Sequence, residues 1–154
     1  MLARISTEFD CTLEAFWEQI VKPWSLQYVA SPILGFRPLV AGAFDGEWIA
    51  GQSYAVRLYL FKILPLGRHR IDVVSIDRDA NVIVTQESGL LAPVWDHTVR
   101  FEPVGLGRLR YSDEIEIGAG WLTGLVWLFA HLFYRWRQIR WKKLLRDRIV
   151  GQPG

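Results

Sequence analysis

The feature that most constrains this chain is its C-terminal stretch, apolar on nearly every side before it turns basic. Residues 117–134, IGAGWLTGLVWLFAHLFY, carry no charge, and Arg135 and Arg137 follow at once. After Gly118 and Gly120 nothing breaks the run to about Arg148, which predicts one helix of roughly 30 residues and roughly 45 Å. In its first half Trp121, Leu122, Leu125, Val126, Trp127, Leu128, Phe129, Leu132 and Phe133 surround the axis. A surface helix needs only one apolar stripe, so this half must be covered on more than one side by a sheet, a second copy of the chain or a membrane. The second half is amphipathic, with Trp136, Ile139, Lys143 and Arg146 three or four residues apart. The uncharged stretch reaches the lower length limit of a membrane span and has a positive flank. Its small leading residues, the embedded His131 and the strand-rich chain before it favour a helix packed inside a fold.

What precedes that helix reads mostly in period two. Residues 2–9 alternate as a first strand, and Thr12 caps a short helix carrying Leu13, Phe16, Trp17 and Ile20 on one side. Pro23 ends or kinks it, and a second short helical or irregular piece with Trp24, Leu26, Tyr28 and Val29 stops at Pro32 and Gly35. Residues 36–46 read as a loop with at most a short strand. Strands are then expected at 53–61, 68–76, 81–90, 93–101 and 108–117, with turns at 65–67, 77–80 and 103–107. Short strands joined by Gly/Pro turns make an antiparallel meander. The expectation is an α+β fold, a curved antiparallel sheet of about seven strands around the long helix.

With 51% hydrophobic and 22% charged residues, disorder is excluded. At 154 residues the chain is read as one domain over 1–150, with 151–154 a flexible tail. Eight tryptophans must be taken up by a core or a cavity wall. The net charge of +2 hides an asymmetry: residues 135–148 hold seven basic side chains and one acid. Basic residues suit a helix C-terminus, and the same cluster could meet an anionic membrane surface. Its aromatics fall at helical spacing, which speaks against nucleic acid. A second copy of the chain covering the apolar helix is the other partner considered. Cys11 is the only cysteine, which excludes an intrachain disulfide and a thiol zinc site. The opening MLARISTEFD lacks a signal peptide's apolar run, so a cytoplasmic location is expected. No phosphate loop, dinucleotide fingerprint, HExxH, GxSxG or metal-ligand spacing occurs, and no cofactor or metal is implied.

One constellation can be placed from register. A hairpin centred near Gly105 pairs Phe101 with Leu109, Val99 with Tyr111, His97 with Asp113 and Trp95 with Ile115, all on the apolar face. A carboxylate beside an imidazole orients one ring nitrogen. The pair reads as a register-setting buried contact, as an anchor for a polar ligand group, or as a proton-transfer dyad. Glu87 and His131 are further approaches to a cavity, His131 read mainly as a packed helix residue. His69, beside a turn, is expected to face solvent.

The order of elements resembles the START-like superfamily, also called SRPBCC or the helix-grip fold, over about residues 2–148. That superfamily includes bacterial polyketide cyclase/dehydratase-like proteins, plant pathogenesis-related allergens and lipid-transfer domains. The chain is most similar to a bacterial ligand-binding branch through Gln86, Gly89, Trp95, His97, Phe101 and Tyr111–Ser112–Asp113, with Phe133, Tyr134, Arg135 and Leu144 on the last helix. Members often read Q-x-x-G-P-F before W-x-H, and here Leu90 and Leu91 stand for Pro-Phe. The resemblance implies a cavity between sheet and helix lined by Trp95, His97, Val99, Tyr111, Asp113, Leu125, Phe129, Leu132 and Trp136. It implies a hydrophobic small molecule or lipid as ligand. If the protein is instead an enzyme of the cyclase, dehydratase or isomerase kind, His97 and Asp113 are its catalytic candidates.

Overall fold

A computed structural model describes residues 1–150, and the expected flexible tail at 151–154 lies outside the described residues. The chain begins with strand β1 (Leu2–Phe9) and two short helices, α1 (Leu13–Ile20) and α2 (Pro23–Ala30). Strands β2 (Leu34–Pro38), β3 (Ser53–Leu60), β4 (Leu64–Asp77), β5 (Val82–Gly89), β6 (Val94–Gly105) and β7 (Arg108–Gly118) follow. A single 3-10 turn, Gly120–Leu122, then leads into helix α3 (Thr123–Val150). Every strand pair is antiparallel, and the seven-stranded sheet runs β1-β7-β6-β5-β4-β3-β2, open at both edges. This is the expected α+β architecture, a curved sheet wrapped on the long C-terminal helix.

Local chemistry explains the element ends. Thr12 Oγ1 accepts a hydrogen bond from the Ala15 amide, an N-cap worth about 1 kcal/mol. Pro23 is the first residue of α2, where its missing N–H costs nothing, so it starts a helix besides ending one. The PLG turn expected at 65–67 is a correction: these residues lie inside β4, and the chain reverses instead at Phe61-Lys62-Ile63. Phe61 and Lys62 both adopt left-handed backbone, φ 50° and 63°, a conformation that no glycine or asparagine there announced.

The β6–β7 register is a second correction. His97 pairs with Ile115, Val99 with Asp113, Phe101 with Tyr111 and Trp95 with Ile117, two residues from the expected pairing. The reversal sits at Leu106-Gly107, with Gly107 at φ +65° and an irregularity between Pro103 and Gly105. A slip of two preserves the strand's facing, so the inner set of side chains is unchanged.

The concave side of the sheet is filled unequally. Toward α1, Phe9, Phe16, Trp17, Phe101, Tyr111, Trp141, Leu144 and Leu145 form a solid aromatic plug, Phe16 alone meeting four rings at 4.8–5.6 Å. The other half packs Ile71, Val73, Trp95, Ile115, Phe133 and Tyr134 more openly. The double-sided cover expected for α3 is not found: Leu125, Leu128, Leu132 and Ile139 are exposed along one face. Among the described residues no helix is long and apolar enough to cross a membrane.

Candidate ligand-binding site

The open half encloses a cavity of about 430 Å³ between the sheet and α3. From α3 the wall takes Leu125, Val126, Phe129, Phe133, Tyr134, Arg137 and Trp141, a span of about 24 Å along the helix. Leu90, Leu91 and Leu125 line it and are also exposed, which places them at its rim. Trp141, Ile83 and Val99 belong both to the wall and to the aromatic plug, which marks the closed end. Most of this surface is aliphatic or aromatic, and the polar groups are Ser25, Arg68, His69, Thr85, Glu87, His97, Tyr134 and Arg137.

Two His–carboxylate pairs rise from the sheet. His97 Nε2 lies 2.8 Å from Asp113 Oδ1. Tyr111 Oη donates to the same oxygen at 2.7 Å, and Gln138 Nε2 donates to Oδ2 at 3.1 Å and to the Ile5 carbonyl at 2.9 Å. Asp113 therefore holds three buried donors and stands behind His97, which alone of the pair lines the cavity. The Asp113 contact engages His97 through Nε2, which leaves Nδ1 as the ring nitrogen not paired with Asp113. Trp95 Nε1 donates to Tyr134 Oη at 3.1 Å, and the His97 and Tyr134 rings meet edge to face at 4.9 Å.

The second pair overturns the expectation that His69 faces solvent. His69 is 8% exposed and its Nε2 lies 2.9 Å from Glu87 Oε2, while Thr85 Oγ1 donates to Glu87 Oε1 at 2.9 Å. Because β4 begins at Leu64, His69 sits well inside a strand on the inner face. It packs opposite Gly89, where an added Cβ would stand 2.6 Å from His69 Nδ1.

Electrostatics follow from these contacts. Burial pushes the Glu87 carboxyl up, but the hydrogen bond and charge of His69, the charge of His97 and the Thr85 hydroxyl outweigh it and hold it below its ordinary 4.5. Burial, with the Asp113 carboxylate next in weight, lifts the Tyr111 phenol well above its usual range. Burial likewise raises Tyr134. For Arg137 burial works against the charge, but the nearby Tyr134, Tyr111, Asp113 and Glu87 hold it protonated. Among the described residues no group of three or more His, Cys, Asp or Glu is arranged to hold a metal ion.

Of the residues singled out in the sequence, Trp95, His97, Val99, Leu125 and Phe129 line the cavity together. Tyr111 lies in the aromatic plug, and Asp113 is sealed behind His97. Leu132 is 64% exposed on the outer face of α3, and the Trp136 indole donates to the Ser31 carbonyl at 3.1 Å, away from the wall. His131 meets Trp127 edge to face, ring centroids 4.2 Å apart. Sequence reasoning missed Arg68, His69, Thr85, Tyr134 and Arg137. Of the 135–148 cluster Arg137 is buried, whereas half-buried Arg140 lies 4.1 Å over Tyr28 and exposed Arg148 4.8 Å over Trp24.

An open, curved antiparallel sheet closed by a long C-terminal helix over a cavity defines the helix-grip class, the START-like or SRPBCC architecture. Several solved structures share it. A protein of Chromobacterium violaceum superposes with TM-score 0.73 at 12% identity, over 94% of this chain and 96% of its own. A START superfamily protein from Mycobacterium smegmatis gives 0.64 at 12%, covering 95% and 97%. Norcoclaurine synthase from Thalictrum flavum, solved in complex with dopamine and hydroxybenzaldehyde, gives 0.68 at 10%, covering 100% and 89%. No protein-family profile and no curated protein matches the sequence. At these identities the likeness concerns the fold alone.

Proposed function

We propose that the protein is a binder or carrier of a hydrophobic small molecule or lipid, held between the sheet and α3. The observation that carries this is the cavity of about 430 Å³, apolar over most of its wall with a few convergent polar groups on one side. Its volume falls in the range of sites for drug-sized ligands, roughly 300–1,000 Å³. Native mass spectrometry of protein purified from its own host tests the reading. Release of an apolar small molecule on denaturation is expected, and a ligand-free protein that also binds no apolar fluorescent probe would end it.

A second reading is favoured by His97 standing on the wall with Asp113 behind it, an arrangement in which a carboxylate orients a general acid or base. A cyclase, dehydratase or isomerase would use His97 Nδ1 to take or give a proton. Norcoclaurine synthase, similar in fold, is an enzyme seen with small aromatic molecules bound, so the fold accommodates such chemistry. On this reading His97→Gln abolishes turnover of a co-purified compound and leaves its affinity within about threefold; a parallel loss of both refutes it.

Peripheral contact with an anionic membrane through residues 135–148 is the weaker reading, because Arg137 is buried while Arg140 and Arg148 rest on the rings of Tyr28 and Trp24. It requires liposome binding that weakens with salt, and binding that is absent at low salt removes it.

A further inference from the structure

Arg137 lies deep in the cavity, twelve residues, or about 18 Å of helix, beyond the rim residue Leu125. It is 7% exposed, and its Nε is buried with no hydrogen-bond partner. Among the described residues no carboxylate lies within 4 Å of its guanidinium. The two buried carboxylates close enough to act on it through space are already engaged. Glu87 is held by His69 and Thr85, and Asp113 by His97, Tyr111 and Gln138. What the guanidinium touches instead is aromatic, Tyr134 at 4.7 Å and Phe133 at 5.9 Å. Ring faces attract a cation but supply no acceptor for its N–H groups. A buried, unpaired, planar fork of donors facing an apolar chamber is the complement of a carboxylate.

We infer that Arg137 anchors the carboxylate of an apolar monocarboxylic acid, which enters head-first with its hydrocarbon body toward Leu90, Leu91 and Leu125. This rests on reading the cavity as a binding site. The charge around Arg137 selects the head group. One negative charge offsets the guanidinium, whereas a phosphate monoester would bring nearly two negative charges close to Glu87 and Asp113. A neutral alcohol of the same shape leaves the cation unpaired. The opposing account is that Arg137 only balances Glu87 and Asp113 at a distance, and it predicts indifference to the head group.

The test compares two matched pairs, decanoic acid with decanol and naphthylacetic acid with naphthylethanol, titrated into the intact protein by calorimetry near neutral pH. The expected result is that in at least one pair the acid binds about tenfold or more tightly than the alcohol. Arg137→Gln then removes that preference, so that the acid binds no tighter than its alcohol, and Arg137→Lys keeps part of it. If an alcohol binds and its acid is no tighter in either pair, the inference is overturned and the binding cavity stands. If none of the four binds, the cavity reading falls and takes the inference with it. Should Arg137→Gln fail to fold, the wild-type comparison and Arg137→Lys still decide.

Discussion

Replacing Gly89 by alanine should break the second His–carboxylate pair without touching either partner chemically. An ideal Cβ at position 89 would stand 2.6 Å from His69 Nδ1 and 3.4 Å from the Arg68 carbonyl oxygen. The imidazole must move, and the 2.9 Å contact with Glu87 Oε2 is lost with it. Losing a buried hydrogen bond to a charged group costs about 1.5–3 kcal/mol. Crowding a packed site adds about 1–3 kcal/mol, and the smaller entropy of alanine in the unfolded chain returns about 0.4–1 kcal/mol. The net expectation is a loss of about 2–5 kcal/mol, a large share of a domain's usual stability. Urea unfolding of wild type, Gly89→Ala, His69→Ala and the double variant forms the cycle that checks it. In the His69→Ala background the nearest remaining obstacle is the Arg68 carbonyl, so Gly89→Ala should there cost less than about 1 kcal/mol. A neutral Gly89→Ala, or one equally costly with and without His69, refutes the reasoning.

Asp113→Ala leaves His97 and Tyr111 without their shared acceptor while Gln138 keeps the Ile5 carbonyl, so a loss of about 3–5 kcal/mol is expected by urea unfolding; below about 1 kcal/mol the network is not stabilising. Glu87 has a folded-state pKa below its ordinary 4.5, so its contribution is present above that pH and is lost as pH falls through the lower folded value. Glu87→Gln should therefore flatten the acid limb of stability against pH, and parallel limbs would contradict this. Burial, with Asp10 next in weight, pushes the Cys11 thiol up to about 11, so the native protein should resist a thiol reagent at mildly alkaline pH and react on unfolding.

Much of the fold was legible because period-two patterning and glycine turns mark strands directly. What failed failed at turns. The β3–β4 reversal uses left-handed Phe61 and Lys62, which no local composition announces, and placing the turn at 65–67 instead put His69 at a strand start facing water. The β6–β7 hairpin pairs two residues away from the register its turn residues suggest, yet the inner face is the same because pairing parity is kept. The diagonal approach from β6 to β7 still brings His97 to Asp113 at 2.8 Å. Arg137 was hidden for a different reason. It belongs to a run of seven cations, and only the packing of α3 on the sheet separates the buried one from its solvated neighbours.

The pairing of β1 with β7 sets the order in which the protein can be completed as it is made. β1 is made before the other six strands, with Ala3, Ile5 and Phe9 destined for the interior, but its hydrogen-bonding partners are residues 109–116. Strands β3 to β7 can zip by successive local hairpins, whereas β1 waits with its apolar side uncovered until β7 has been made. Closing the sheet's edge and docking α3 against β1, where Gln138 reaches the Ile5 carbonyl, must therefore follow the synthesis of β7 and α3. The cavity can acquire its α3 wall only then.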